Sequence, residues 1–196
     1  MPKRARKSGD PEARLGAADW EAAALKALAE SGPAGVAVEP LARTLGVTKG
    51  SFYWHFQDRE ALLAAALDRW EKDYTERVIE GLVDVVEPRE RLVRLLTGVT
   101  TARRADRIHA ALGAATSDPR VSACLARVSH RRLGYLEECY RALGLPRRAA
   151  RKSALLAYAA YVGLIHLRLE APDELPADDA FASYVDHVIA TLVPCP

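Results

Sequence analysis

The sequence predicts an all-α fold, a small N-terminal three-helix domain followed by a larger helical domain. Three observations predict it. Apolar residues recur at three- and four-residue spacing along nearly the whole chain. Two such helical patterns meet at one sharp turn around Gly46, and a third follows almost at once, giving a helix-turn-helix with a strut behind it. Further on, Asp118-Pro119 pairs an N-cap residue with proline at a first helical position, a recognisable helix start.

The elements follow in order. Residues 1–16 open with four basic side chains in the first seven positions and no hydrophobe to anchor them, so they are expected to form a disordered basic tail, either solvated or reaching DNA phosphates. From Ala17 to Ser31, Trp20, Ala24 and Leu28 share one helical face, and Ser31-Gly32-Pro33 ends the run. Val38, Leu41 and Leu45 make the face of a second helix, which Gly46 stops by supplying a left-handed residue. Thr48 is a natural N-cap for a third, short helix from Lys49 to Phe56, in which Phe52 and Phe56 point inward.

The outer face of that short helix carries Lys49, Ser51, Tyr53 and Trp54. Large aromatic rings interleaved with ammonium and hydroxyl groups are poorly solvated without a partner, and double-stranded DNA is a suitable one. The N-terminal turn of a helix of this size fits a major groove about 12 Å wide, and its flanking polar groups can hold phosphates. Gly50 lets backbone approach closely. Asp58 caps the next helix, whose first amides and Arg59 offer a further anion-binding end. Packing alone explains Phe52 and Phe56. Tyr53 sits out of phase with that face, and Trp54 divides between packing and contact with a thymine methyl.

In LGVTKGSFYWHFQDREALL, and upstream in WEAAALKALAESGPAGVAVEPLA, the chain resembles the tetracycline-repressor (TetR) family of bacterial transcriptional regulators. The resemblance covers about Ala17 to Trp70. It implies that Lys49, Gly50 and Ser51 read bases, that Trp54 lies close to the groove, and that Thr48, Tyr53, His55 and Arg59 hold phosphates. Val38-Glu39-Pro40 departs from the family's usual opening of the second helix. A carboxylate there would repel phosphate, so no DNA contact is carried over to that end.

The divisions expected are thus a tail over residues 1–16, a DNA-binding domain over 17–60, and an effector-binding and dimerisation domain over 61–196. In the last, one long helix runs from Asp58 through Leu62, Leu67, Trp70, Tyr74 and Val78 as the mechanical link. Pro88 starts another, and Arg103 to Asp106 is expected to break or bend it into a shorter helix around Ile108 to Ala115. The helix from Asp118 stops at Gly144. Ala149 to Leu169 is apolar nearly all round and must be buried on more than one side. After the break at Pro172 to Pro176 comes a second apolar stripe. Ala157, Ala160, Gly163 and Leu164, with Phe181, Tyr184, Val185, Val188, Ile189 and Leu192, are the expected homodimer interface; the alternative is an intramolecular core.

Composition limits the other functions. The net charge is +2, with 9 basic against 8 acidic residues up to position 60 and 19 against 18 after it, so DNA binding must rest on local placement. Cys124, Cys139 and Cys195 read as reduced thiols of a cytoplasmic protein. The longest apolar run, Ala154 to Ile165, is short of the roughly 20 residues that span a bilayer, so no membrane is implied.

No GxSxG, P-loop, GxGxxG or HExxH motif occurs, and His55, His109, His130, His166 and His187 include no i, i+4 pair; neither an enzyme, a cofactor nor a metal is implied. A small-molecule effector pocket is expected between the later helices, with Trp70, Tyr74, Tyr135, Tyr140, Tyr161 and His166 as candidate lining residues, each of which could instead be core packing. The reading is a homodimeric DNA-binding repressor released from a pseudo-palindromic operator by that effector. A regulator without an effector, or a helical enzyme or carrier, are the alternatives.

Overall fold

In a computed structural model, which describes residues 15–101 and 103–194, every regular element is helical. The basic tail before residue 15, and Cys195, lie outside the described residues. Helix α1 (Ala17–Ser31) buries Trp20, Ala24, Leu25 and Leu28, the stripe its spacing predicts. Helix α2 (Val38–Leu45) ends at Gly46, whose φ of 69° and ψ of 26° are left-handed. There the amides of Gly46 and Val47 close back onto the carbonyls of Arg43 and Ala42, at 3.2 and 3.0 Å, satisfying the helix end.

Helix α3 is shorter than its spacing predicts, running from Lys49 to Phe52 only. Beyond it the amides of His55 and Phe56 both turn onto the carbonyl of Phe52, at 2.9 and 3.0 Å, so residues 53–55 form a turn. Helix α4 (Arg59–Glu71) starts where Asp58 accepts a 2.7 Å hydrogen bond from the Ala61 amide.

The single long helix expected from Asp58 to Val78 is interrupted. Lys72–Glu76 winds as one π-helical turn, and α5 (Arg77–Glu80) completes the segment. Such turns leave carbonyls without helical partners, and the carbonyl of Tyr74 accepts from Arg132 at 3.1 Å.

Helices α6 (Pro88–Thr101), α7 (Arg103–Gly113), α8 (Pro119–Ala142), α9 (Arg147–Glu170) and α10 (Asp178–Leu192) complete the chain. Arg103 to Asp106 do not form a break, because α7 already begins at Arg103. The other expected punctuation holds. Asp118 accepts from the Arg120 amide at 2.9 Å to start α8, and Gly144, with φ 90°, follows its end.

Two apolar clusters hold these helices together, and the first ignores the expected division at residue 60. Trp20, Leu28, Phe52, Leu62, Leu63 and Trp70 are continuous with Ile108 and Leu112 of α7 and with Val121, Cys124 and Val128 of α8. A three-helix module of this size buries too little surface to stand alone, and α7 against α1 supplies what it lacks. The second cluster joins α5, α6, α8 and α9 around Leu92, Leu96, Tyr140 and Ala154. No described helix is long and apolar enough to cross a membrane.

Candidate nucleic-acid interface

The geometry of α3 is set from behind. Phe52 is fully buried, with its ring edge-on to Trp20 at 5.2 Å and stacked on Phe56 at 5.7 Å. Fixing Phe52 inward turns the next two rings outward, leaving Tyr53 58% and Trp54 87% exposed. Thr48, Lys49, Gly50 and His55 are exposed beside them, and Ser51 is half-buried. All seven therefore lie on or beside one surface.

Three of these positions carry further detail. Thr48 occupies the N-cap position with extended backbone, but its hydroxyl makes no capping bond and is left to another partner. At Gly50 an added Cβ would meet only the Thr48 hydroxyl, at an ordinary 3.7 Å. The fold itself does not require glycine there. Lys49 is held by its own chain: its ammonium lies 2.9 Å from Oε1 of Glu39. That mutual hydrogen bond raises the lysine pKa and lowers that of the glutamate. Glu39 is thus a partner of the candidate base-reading residue, which sequence reasoning missed.

Arg59 corrects an expectation. Its Nε and Nη2 donate to the carbonyls of Val36 and Pro33 at 2.7 and 2.6 Å, and Nη1 meets Glu60 at 3.2 Å. The guanidinium is engaged as a brace between α4 and the turn before α2, so it is not a free phosphate ligand.

A second candidate site lies between α5, α6, α8 and α9. Tyr135 and Tyr161 line a cavity there, together with Tyr158, Thr75, Arg132 and apolar side chains. The cavity is small, about 50 Å³. Four other candidate lining residues do not line it. Trp70 is buried beneath it in the first cluster, and Tyr74 packs against that cluster. Tyr140 donates its hydroxyl to the Leu192 carbonyl at 2.8 Å, and His166 is exposed beside Glu170 at 3.3 Å. Arg132 went unnoticed in the sequence, although its phase could have revealed it. It falls four residues after Val128 and four before Leu136, a cation on the buried face of α8.

The expected dimer residues also divide. Ala157, Leu164 and Val185 are buried within the chain, and Tyr184, Val188 and Leu192 pack inward beside α6 and α9. Phe181 and Ile189 are half-buried, Phe181 lying under the Arg168 guanidinium. Gly163 faces outward, and Ala160, which also borders the cleft lined by Tyr184, Val188 and Leu192, is exposed beside it, in a stripe along α9 with the exposed Leu155, Leu156, Ala159 and Leu167.

Residues 22–66 match the family model described as bacterial regulatory proteins, tetR family. A helix-turn-helix type transcriptional regulator of Mycobacterium tuberculosis (strain H37Rv) is 33% identical over 92 residues. That match covers 47% of this chain, and the chain spans only 44% of the relative's length. Among solved structures, a TetR-family regulator from Rhodococcus sp. is 25% identical with a TM-score of 0.67, over 90% of this chain and all of that one. A transcriptional regulator from Saccharomonospora viridis, solved in complex with choline, is 21% identical with a TM-score of 0.72, over 90% of this chain and 92% of its own.

Proposed function

The N-terminal domain of this chain belongs to the tetR family of bacterial regulatory proteins, and on that premise we propose that the chain is a homodimeric repressor released from its operator by a small-molecule effector. One observation carries the DNA-binding end of this reading. Burying Phe52 forces Tyr53 and Trp54 outward beside Lys49, a surface without an internal reason to be so aromatic. In this reading Lys49, Gly50 and Ser51 address base edges, Thr48, Tyr53 and His55 hold phosphates, and Trp54 meets a thymine methyl. Gly50, which nothing in the chain requires, fits a backbone that must approach DNA.

One such helix reads too few bases to be specific, so the chain acts as a twofold pair with recognition helices about 34 Å apart, or a multiple of that. The outward stripe of α9 is the proposed seam. The effector occupies the cavity between α5, α6, α8 and α9, which borders the π-helical turn where α4 ends. Filling it changes the tilt of α4 and so the spacing of the pair. The effector releases DNA only as far as it prefers the mismatched state. The cavity is what favours this over a regulator that senses no small molecule.

The test is selection of bound fragments from a random-sequence duplex pool, then fluorescence anisotropy with the selected duplex. Lys49→Ala is expected to cost about 1–3 kcal/mol and relax sequence preference. Tyr53→Phe is expected to weaken binding evenly across sequences. Wild-type affinity in both variants would refute the assignment of this face.

A further inference from the structure

Arg132 stands out among the arginines of α8. Its neighbour Arg131 pairs with Glu76 at 3.1 Å, and Arg127 pairs with Glu71 at 2.7 Å. Arg132 meets no carboxylate within 4.0 Å among the described residues, although its guanidinium is half-buried in the wall of the cavity. Aromatic faces partly substitute for a counter-charge. The guanidinium carbon lies 5.5 Å from the Trp70 ring centre and 5.8 Å from that of Tyr161. Two of its nitrogens are engaged, Nε with the Thr75 hydroxyl at 3.0 Å and Nη2 with the Tyr74 carbonyl at 3.1 Å. Nη1 is buried and makes no hydrogen bond of good geometry, the Tyr161 hydroxyl being the polar group beside the guanidinium. One helical turn along, Tyr135 is 8% exposed and lines the same cavity, and its hydroxyl makes no hydrogen bond of good geometry, with only the Cys139 thiol beside it.

Proteins pair the cations they bury, because an unpaired charge in apolar surroundings is unfavourable. Here the missing partner has a place to come from. Apart from Thr75, Tyr158 and Tyr161 the rest of the wall is apolar, with Val78, Ile79, Leu95, Leu96 and Val99, and its free space is narrow. We propose that the cavity takes an amphiphilic carboxylate, with a slender hydrocarbon body among these side chains and its anionic head on Nη1 of Arg132, the Tyr135 hydroxyl adding a second donor. This rests on the effector reading above and names the chemistry of the effector.

The same guanidinium carries the signal. Its two engaged nitrogens grip Tyr74 and Thr75, inside the π-helical turn between α4 and α5. A carboxylate that draws the guanidinium toward the cavity competes with those bonds, at the point where α4 leaves the first apolar cluster.

The experiment titrates the full chain, first stripped of carried-over amphiphiles on a hydrophobic resin, with decanoate, 1-decanol and decylammonium below their micellar concentrations. Isothermal calorimetry reads binding. Decanoate is expected to bind at least tenfold tighter than decanol, and decylammonium weakest. Arg132→Gln is expected to remove that preference, bringing the ratio of decanoate to decanol affinity to about one. Arg132→Lys, which keeps the charge and loses the fork, is expected to retain part of it. Should decanol bind as well as decanoate, or decylammonium bind tightest, the anion assignment is overturned while the effector cavity stands. Binding of none of the three overturns both. The wild-type comparison decides the matter even if the glutamine variant fails to fold.

Discussion

Lys49 and Glu39 join the first turn of α3 to the first turn of α2 through a 2.9 Å ion pair, so the charge proposed to face DNA is already occupied in the free chain. Both side chains are more than half exposed, where such pairs add little to stability. Their effect falls on binding instead. Glu39 must give up Lys49, and its carboxylate then sits near the phosphates. Glu39→Gln is therefore expected to leave thermal stability unchanged and to tighten DNA binding roughly three- to tenfold at low salt. The gain should shrink as salt rises. Anisotropy titrations across a salt series measure it, and an unchanged low-salt affinity would show that the pair does not restrain Lys49.

Arg59 leads to an opposite expectation. Its bonds to the Val36 and Pro33 carbonyls, at 2.7 and 2.6 Å, tie α4 to the segment that carries α2. Charged donors to carbonyls contribute more than neutral ones, and a third of the side chain is exposed, which discounts the total. Arg59→Met is expected to cost about 2 kcal/mol of stability, read from the shift of a urea unfolding midpoint. A direct phosphate contact would instead show as lost affinity with no change in the midpoint.

These two arginine and lysine sites mark what was legible in the sequence and what was not. Phe52 and Phe56 inward, Tyr53 and Trp54 outward, and the stop at Gly46 all follow from spacing and backbone preference, which act within a few residues. The roles of Arg59 and Glu39 depend on contacts 23 and 10 residues away, which periodicity does not encode. The extent of α3 is not legible in the spacing, because Phe56 keeps helical phase after the helix has already turned at Phe52. In α9, apolar residues all round pointed to burial on several sides. Such a pattern does not say which side faces the same chain, so Ala157 and Leu164, expected at the interface, lie in the core.

His109 makes stability depend on pH. It is 7% exposed, with its ring against Trp70 at 5.9 Å, and Arg132 and His166 act on it electrostatically. Burial first, then Arg132 and His166, lower its pKa from 6.5 to about 4. Between those values the unfolded chain binds a proton that the folded chain refuses. Stability on this account is full above pH 6.5 and falls as pH drops toward 4, by about 3 kcal/mol over the whole window. In His109→Gln this part of the acid slope should vanish. Urea midpoints at pH 7, 6 and 5 for the two proteins give the difference, and parallel slopes would show that His109 titrates normally.

The stripe along α9 gives the last expectation. Leu155 and Leu156 are 57% and 60% exposed, and Ala159, Ala160 and Gly163 continue their line with side chains too small to keep a second helix away. Two copies crossing there would cover the leucines. Leu156→Glu places a charge in that seam, and since Leu156 touches little of its own chain, helicity and unfolding midpoint should be unchanged. Sedimentation velocity at micromolar concentration is expected to report a monomer, and affinity for a two-half-site duplex should collapse to that of a single half-site. Val86→Glu, at an apolar residue 87% exposed and away from the stripe, is the control and should sediment as wild type. If Leu156→Glu remained dimeric, the seam would have to lie elsewhere, and the outward face of α10 around Ala182, Ser183 and Ala190 would be the surface to probe next.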